Sequence, residues 1–320
     1  RRRGAAMSGP VGSFQPVDQA TWLVDLEYLG VPEGIGVYLL LDERPALVEV
    51  GPTPNLPRVL AAIEAAGLEP GAIEHVFLTH IHLDHAGGAG VLARSLPRAR
   101  FFVHPAGAPH LIDPSRLLQS AGRLYGDQMD ALYGEVAPLP PERVQVLQDG
   151  EHVVLGRRRL VAVETPGHAK HHHAYFDPDR RWLFTGDVAG IALPGAAYVH
   201  PPTPPPDLDL EAWEASLDRM LALKPDRLLY THFGWQDEPE ARLEELRRRL
   251  RAEGRLVREA LAEGLELDAV IARYQARVEP ELEAAVGAER AARYRLTVNG
   301  WMNVLGWKRY WERRAPSGGA

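Results

Sequence analysis

A dense group of metal-binding side chains follows a short apolar segment in the first third of the chain. Residues 80–85 read His-Ile-His-Leu-Asp-His, so four of six consecutive side chains can bind a cation. The four are His80, His82, Asp84 and His85. Segment 73–79 before them is apolar and β-prone, and the small residues 86–88 follow, which is the pattern of a strand end, a loop and a helix start. Because imidazole and carboxylate together suit zinc, iron or manganese, the sequence predicts a metal site at this strand end.

The spacing within this group suggests two neighbouring cations. His80 and His82 are separated by one residue, so in an extended chain both side chains point to the same side and can bind one cation. Asp84 and His85 lie beyond the bend, where they can reach a second cation close by.

The His-x-His-x-Asp-His pattern resembles the signature of the metallo-β-lactamase superfamily, and the later ligand elements of that family are matched in the same order. The matching segments are Thr165-Pro166-Gly167-His168, Phe184-Thr185-Gly186-Asp187 and Leu228-Leu229-Tyr230-Thr231-His232. They look like the family's Pro-Gly-His turn, its Gly-Asp element and its closing strand. A structural role would explain His168 or His232 taken alone, but it does not explain an ordered set spanning about residues 35–235. The resemblance implies the family's α/β fold, an αββα sandwich.

The resemblance also implies a ligand set for two divalent metal ions, most simply Zn²⁺, with Mn²⁺ or Fe as alternatives. One metal would be bound by His80, His82 and His168, and the other by Asp84, His85 and His232, with Asp187 bridging both. Two cations about 3.5–4 Å apart can share a hydroxide that forms near neutral pH. Asp84 is the expected catalytic residue, because it can bind metal and also orient this water or accept its proton.

One position departs from the family pattern. The family usually has an aspartate after an apolar strand and before a small residue and glycine. The matching segment here, Leu47-Val48-Glu49-Val50-Gly51, has a glutamate in that place. Since the family's aspartate supports the site without binding metal, we expect altered contacts around the ligands and unchanged ligation.

Two further segments are expected near the substrate. By position, His172 matches a histidine that lactonases and glyoxalase II-like hydrolases often carry four residues after the Pro-Gly-His histidine. A supporting or substrate-side role and a purely structural role both remain open for it. Segment 198–206 contains five prolines and begins eleven residues after Asp187. It is expected to be either a rigid connector or a pocket rim, where Tyr198 or His200 would bond to substrate.

The chain divides into a predicted catalytic domain, residues 1–238, and a predicted all-helical region, residues 239–320. The expected strands span 22–28, 36–41, 45–50, 73–79, 100–104, 143–147, 151–155, 159–164, 173–177, 181–185 and 226–231. Helices are expected at about 55–66, after the ligand group to about 95, and at 209–223. A helical insertion at about 105–140 should lie near the mouth of the site.

The all-helical region is expected to be broken at Gly254, Gly264, Pro280 and Gly300. Aromatic residues crowd between Trp301 and Trp311. Three explanations remain open for this crowding: packing against the sandwich, a homodimer interface and a substrate-facing wall.

The composition of the 320-residue chain excludes several classes of partner. Its net charge of −7 gives no general affinity for phosphate backbones. The Arg-rich stretch 242–258 is interleaved with glutamates, as on a solvated helix face with i,i+4 ion pairs. We therefore expect a small-molecule substrate and no nucleic acid. No apolar run approaches 18 residues, so no membrane partner is expected. The absence of cysteine excludes disulfides but does not fix the compartment, and a cytoplasmic location is the default expectation.

Within the family, single residues reduce the number of reaction types that are expected. Zinc β-lactamases usually have cysteine or serine in place of Asp187, which disfavours β-lactam hydrolysis. Segment 188–191, Val-Ala-Gly-Ile, lacks the cysteine that glyoxalase II and persulfide dioxygenases commonly carry there. The resemblance implies hydrolysis of a small ester-like substrate (a lactone, thioester or carboxylic ester) through the metal-bridging hydroxide. The alternatives are a mononuclear iron oxygenase similar to persulfide dioxygenases, a phosphodiesterase, and a non-catalytic binding module on the same fold.

Overall fold

The strands form two sheets in which neighbouring strands follow the order of the chain. In the computed structural model, which describes residues 14–193, 195–297 and 300–314, seven strands form the first sheet and six form the second. The first contains β1 (Phe14–Asp18), β2 (Thr21–Asp25), β3 (Gly36–Leu40), β4 (Ala46–Val48), β5 (His75–Phe77), β6 (Arg100–Val103) and β7 (Val144–Val146). The second contains β8 (His152–Val154), β9 (Arg159–Glu164), β10 (His173–Asp177), β11 (Trp182–Gly186), β12 (Arg227–Tyr230) and β13 (Gly234–Gln236). Strands β4 to β7 pair in parallel, as do β11 and β12.

The helices lie outside the two sheets and in the connections between strands. They are α1 (Leu56–Ala65), α2 (Leu83–Ala86), α3 (Ala89–Leu92), α4 (Ala108–Ile112), α5 (Ser115–Tyr125), α6 (Met129–Tyr133), α7 (Leu210–Ala222), α8 (Pro239–Ala262), α9 (Leu267–Val286), α10 (Ala288–Thr297) and α11 (Gly300–Arg314). Among the described helices, none is both long enough and apolar enough to cross a bilayer.

Side chains from both sheets interdigitate in a central core. On β5, Phe77 points between the sheets, whereas its neighbour Val76 belongs to the outer core that α1 and α3 cover. Phe77 contacts Tyr175 of β10 edge to face, with ring centroids 5.2 Å apart. The outer face of the second sheet is covered by α7, α8, α9 and α11. The layers are therefore helix, sheet, sheet and helix, which confirms the αββα sandwich.

The C-terminal helices share their core with the second sheet. Trp307 of α11 is fully buried beside Gly254 of α8, where an added Cβ would lie 2.8 Å from the indole ring. The same apolar cluster includes Trp213 of α7 and Tyr230 of β12. Of the three explanations for the crowded aromatics, the described residues show packing against the sandwich.

Several element boundaries differ from those expected from sequence. Helix α8 continues through Gly254 and α9 through Pro280, where the sequence predicts breaks. Packing of the apolar faces overrides these local preferences. The helix expected after the ligand group is two short helices separated by Gly87 and Gly88. Strands β1 and β13 were not among the expected strands.

Candidate metal centre

The predicted ligands meet at one edge of the sandwich, where strands of both sheets end. Segment 80–85 follows β5 of the first sheet, and His168 lies in the turn between β9 and β10. Asp187 directly follows β11, and His232 follows β12. Segments about 150 residues apart in the chain therefore supply one site, because both sheets direct these strand ends to the same edge.

Two glycines permit the close approach of these strand ends. Gly186 has a φ of 51°, and an added Cβ would lie 2.5 Å from the hydroxyl of Thr79. Gly167 has a φ of 138°, and an added Cβ would lie 2.4 Å from Cα of Trp213 on α7. Any side chain at either position would force the ligand-bearing loops apart.

Three histidines form the first ligand cluster. Nδ1 of His82 lies 2.9 Å from Nε2 of His80 and 3.0 Å from Nε2 of His168. All three side chains can place one ligand atom within a sphere suited to a single cation. This is the set that the family resemblance assigns to the first metal.

Asp84, His85 and His232 form the second ligand cluster. Nε2 of His232 lies 3.3 Å from Nε2 of His85 and 3.4 Å from Oδ2 of Asp84. Burial lowers the pKa of His85, but nearby carboxylates, led by Asp187, raise it well above its usual value overall. The second cluster therefore lies in a strongly negative environment, which favours a bound positive charge.

Asp187 lies between the two clusters. Its Oδ1 is 3.1 Å from Nε2 of His85, and its Oδ2 is 3.4 Å from Nε2 of His168. Oδ1 is also buried without a hydrogen bond of good geometry. One carboxylate oxygen thus faces each cluster, as a bridging ligand requires.

Hydrogen-bond partners determine which nitrogen of each histidine carries a proton. The carbonyl oxygen of Pro202 lies 2.9 Å from Nδ1 of His168, and a carbonyl only accepts, so Nδ1 is protonated and Nε2 has a lone pair. Nδ1 of His232 is likewise protonated, since it lies 2.7 Å from the carbonyl oxygen of Gly34. In both rings Nε2 is therefore the nitrogen that points into the site.

His80 and His85 are oriented in the same way by Glu49 and Thr79. The Thr79 hydroxyl donates to the Glu49 carboxylate, so it accepts from Nδ1 of His80, 3.0 Å away. Nδ1 of His85 donates to Oε1 of Glu49 over 3.1 Å. In both rings Nδ1 is thus bound by protein, and Nε2 is the nitrogen directed towards the ligand clusters.

The donor atoms fit the metal that this ligand pattern implies. Burial lowers the pKa of His80, His82 and His168, to about 3 in the case of His82, so these rings are neutral at pH 7. A single proton on Nδ1 of His82 cannot satisfy two facing lone pairs at 2.9 and 3.0 Å equally well. A divalent cation can accept all three lone pairs at once.

Glu49 forms hydrogen bonds on the side of the ligand histidines that faces away from the cavity. It accepts hydrogen bonds from Thr79 and His85, and a third from the hydroxyl of Thr231 over 3.3 Å. Glu49 also lies within ligand distance of His80 and His85. However, it faces Nδ1 of His85, the nitrogen that points away from the metal cluster. We therefore assign Glu49 to holding the rings, as expected for the position where the family usually has aspartate.

The three residues expected to contact substrate do not line the cavity. His172 is fully buried; its Nδ1 lies 2.8 Å from the Thr165 hydroxyl and its Nε2 accepts from the backbone N–H of Asp187. Tyr198 and His200 bond to each other over 3.1 Å and are buried. All three side chains turn inward, so His172 supports the backbone at Asp187 while the other two pack beneath the proline-rich segment.

A cavity of about 270 Å³ opens above the ligands. Its apolar wall comes from the helical insertion and includes Leu117, Ala121, Leu124, Tyr125 and Tyr133. The opposite wall includes Pro202, Pro204, Pro205, Pro206, Met302 and Asn303. The insertion thus lies at the mouth of the site, as the sequence predicted. A substrate-facing wall was one of the explanations left open for residues 301–311, but no local motif marked Met302 and Asn303 in particular.

Polar groups surround the mouth of this cavity. Arg116, Lys170, His171 and Asp207 lie among its lining residues. His171 was not among the residues expected at the site, yet its ring centroid lies 5.7 Å from that of His82 and its Nδ1 is buried without a hydrogen-bond partner. Only its position three residues after His168 could have pointed to the site.

Comparison with known proteins identifies the same family. The sequence model described as the metallo-beta-lactamase superfamily matches residues 32–232, more than half of the chain. A metallo-beta-lactamase fold-containing protein of Sulfurisphaera tokodaii, ST1585, is 32% identical over 165 residues, which cover 51% of this chain and 61% of the relative. A hydroxyacylglutathione hydrolase of Fuscovulum blasticum is 28% identical, covering 80% of this chain and 88% of the relative. The chain spans about three fifths of the length of the first curated relatives that it matches.

Solved structures show the same architecture. The crystal structure of ST1585 superimposes with a TM-score of 0.58 at 28% identity, covering 68% of this chain and 81% of the other. The metallo-beta-lactamase family protein TTHA1429 of Thermus thermophilus has a TM-score of 0.66 at 22% identity, covering 88% and 89%. At this lower identity the likeness concerns the fold alone.

Proposed function

Because the chain belongs to the metallo-beta-lactamase superfamily, we propose that the protein is a hydrolase that uses two divalent metal ions, most simply Zn²⁺, on a small ester-like substrate. Family membership, the ligand clusters and the similarity to a hydroxyacylglutathione hydrolase over 80% of the chain all support a metal-dependent hydrolase. The observation that carries the two-metal proposal is the position of Asp187, with one carboxylate oxygen facing each cluster.

The proposed ligands form two sets that share one residue. His80, His82 and His168 would hold one ion, and Asp84, His85 and His232 the other, with Asp187 shared. When bound, the ions would supply a water activated near neutral pH and a positive charge for a developing oxyanion. The shared Asp187 would hold the two ions close together.

Asp84 is proposed as the residue that accepts a proton at the cavity floor. Its side chain remains 27% exposed, whereas that of Asp187 is 6% exposed. Burial alone would raise the pKa of Asp84, but His85 and His232 hold it below its usual value. Asp84 is therefore ionised at neutral pH and can orient a water or accept its proton.

The cavity favours a small substrate with an apolar part. Its volume of about 270 Å³ is close to the lower end of the range for small-molecule sites. Leu117, Ala121 and Leu124 offer an apolar wall to an acyl group or lactone ring. Arg116 adds a positive charge to the lining, whereas the charge of Lys170 is paired with Asp207 over 3.6 Å. We propose that the substrate is a lactone, thioester or carboxylic ester with an apolar acyl side.

The test is a comparison of kcat/KM over a lactone, a thioester, a carboxylic ester, a chromogenic β-lactam and a phosphodiester, with the same metal loaded. One of the three ester-like substrates should be preferred. A preference of about a hundredfold for the β-lactam or the phosphodiester, roughly 2.7 kcal/mol in the transition state, would contradict the assignment.

Metal content provides a separate test of the two-metal site. Protein purified without chelator should contain about two equivalents of metal per chain. A stable value of one equivalent of iron, together with oxygen consumption, would favour the mononuclear oxygenase instead. A metal-loaded protein inactive on every class would favour a binding module.

A further inference from the structure

The proline-rich segment beside the metal centre has almost no backbone hydrogen-bond donors. Five of the six residues 201–206 are proline, so Thr203 supplies the one backbone N–H of this stretch. The segment nevertheless carries the carbonyl of Pro202, which accepts the Nδ1 proton of His168 over 2.9 Å. The orientation of a metal ligand thus depends on a segment that cannot form regular backbone hydrogen bonds.

Asn303 of α11 binds this segment on both sides of Pro202. Its Oδ1 accepts from the backbone N–H of Thr203 over 2.9 Å, and its Nδ2 donates to the carbonyl oxygen of Pro201 over 3.0 Å. These two partners also settle the orientation of the amide, since a backbone N–H only donates and a carbonyl only accepts. The one backbone donor between 201 and 206 is therefore bound by a side chain about 100 residues away.

The C-terminal helices hold Asn303 itself. Its Nδ2 lies 3.0 Å from the hydroxyl of Tyr274 on α9, and that hydroxyl donates to Glu253 on α8. Nδ2 also lies 3.1 Å from Nε2 of His200. Asn303 is 1% exposed, so these contacts are buried, although the residue adjoins the cavity wall. Buried networks of this kind hold a side chain in one orientation.

Helix α11 approaches the proline-rich segment closely at a second point. A Cβ at Gly306 would lie 1.8 Å from the carbonyl oxygen of Thr203. Glycine at this position lets the backbone of the helix lie directly against the segment. Asn303 and Gly306 are three residues apart and so lie on the same face of α11.

We propose that Asn303 is a positioning residue of the metal centre, which holds Pro201–Thr203 so that the carbonyl of Pro202 keeps His168 ready to bind metal. This inference rests on the metal-binding role proposed above, but not on any particular substrate. It makes the last helix part of the active site. Neither the ligand motifs nor the family resemblance assigns a role to this residue.

The test measures Zn²⁺ affinity of the full-length protein by competition with a chromogenic chelator. Loss of a direct partner of a ligating histidine typically costs 10- to 100-fold in metal affinity. Asn303 acts on His168 only through Pro202. Asn303→Ala should therefore weaken Zn²⁺ binding at the site of His80, His82 and His168 by about tenfold. The other site, held by Asp84, His85 and His232, should stay within about twofold of the parent.

Tyr310→Phe is the matched control on the same helix. It removes the hydroxyl that donates to Glu211 on α7, but leaves the proline-rich segment untouched. It should alter thermal stability without altering Zn²⁺ affinity. If Asn303→Ala is not recovered folded, Asn303→Ser carries the test, since it retains a polar atom but cannot span Pro201 and Thr203 together.

Unchanged stepwise Zn²⁺ affinities in a folded Asn303 variant would overturn the inference, and so would an equal loss in Tyr310→Phe. If Asn303→Ala loses affinity at one site while the parent hydrolyses none of the ester-like substrates, the inference stands and the proposed substrate class fails. A second readout is the absorption spectrum of the Co²⁺-loaded protein, which should change in Asn303→Ala and remain parent-like in Tyr310→Phe.

Discussion

Oε1 of Glu49 lies 3.1 Å from Nδ1 of His85, and both side chains are fully buried. This contact directs Nε2 of His85 towards Asp187 and the second ligand cluster. Glu49 also has a φ of 72°, a conformation that aspartate and asparagine adopt more readily than glutamate. The family's usual aspartate is thus suited to this backbone, and the longer glutamate here still reaches the ligand ring.

Glu49→Gln should weaken metal binding by tenfold or more, because the ring of His85 loses an anionic acceptor that raises its basicity. Glu49→Asp, which restores the carboxylate usual in the family, should lose less. Zn²⁺ competition measurements on both variants check this. Equal affinities for the parent and Glu49→Gln would show that Glu49 does not support the ligands.

Asp84→Asn should lower kcat by about 10²- to 10⁴-fold while much of the metal remains bound, since the amide oxygen can still coordinate weakly. His168→Ala should lose metal as well as rate, because it removes a full ligand of the first cluster. Turnover and elemental analysis of the same preparations separate the two effects. An Asp84→Asn protein as active as the parent would remove Asp84 from proton transfer.

Ala121→Leu should select against substrates with long acyl groups. Ala121 lines the cavity on α5, so added carbon atoms would occupy space proposed for the acyl side. Gly122→Leu is the control on the same helix, because an added Cβ there meets nothing within 4 Å. The measurement is kcat/KM over a series of ester chain lengths. Parallel profiles for both variants would place the acyl group elsewhere.

Glu253 should make stability depend on pH. Burial raises the pKa of Glu253 to about 8, although the hydroxyl of Tyr274 and the charge of Arg249 act in the opposite direction. The charged and titratable groups around it are Arg248, Arg249, Tyr274, Glu281 and Tyr198. Between about pH 4.5 and 8 the folded protein keeps a proton that the unfolded chain has released, so this group's contribution to stability falls as pH rises through that range.

Glu253→Gln should remove this dependence, because the amide stays neutral and can still accept from Tyr274. The measurement is the melting temperature of parent and variant at pH 6 and pH 9, where subtraction cancels titrations that both proteins share. The melting temperature of the variant minus that of the parent should be at least about 2 °C higher at pH 9 than at pH 6. A constant difference between the two proteins would show that Glu253 is already ionised at pH 6.

The grouping of the proposed ligand side chains could be expected from the sequence because the information that marks them is local. His80, His82 and Asp84 occupy alternate positions of one short segment. His168 and Asp187 each follow a strand that an apolar segment marks. Side-chain type and strand ends are properties of short segments, so a pattern in the sequence is sufficient to identify them. The glutamate at position 49, where the family usually has aspartate, could be recognised from its short sequence segment in the same way.

The helical insertion was expected near the mouth of the site, but the side chains that line the cavity could not be predicted, because they depend on packing between distant segments. The pocket joins α5 to α11, and the contact between Thr203 and Asn303 spans 100 residues. His172, Tyr198 and His200 lie near the ligands in sequence but point inward, because their ring nitrogens and hydroxyl find buried protein partners.

The sequence alone determined which side chains can bind metal and the order of the strands that carry them, since both follow from local residue type and periodicity. The tertiary structure decided which nitrogen of each histidine faces the metal, what covers the site, and that the last helix holds Pro202 against His168. These features depend on hydrogen bonds and close packing between segments that meet only in the folded chain.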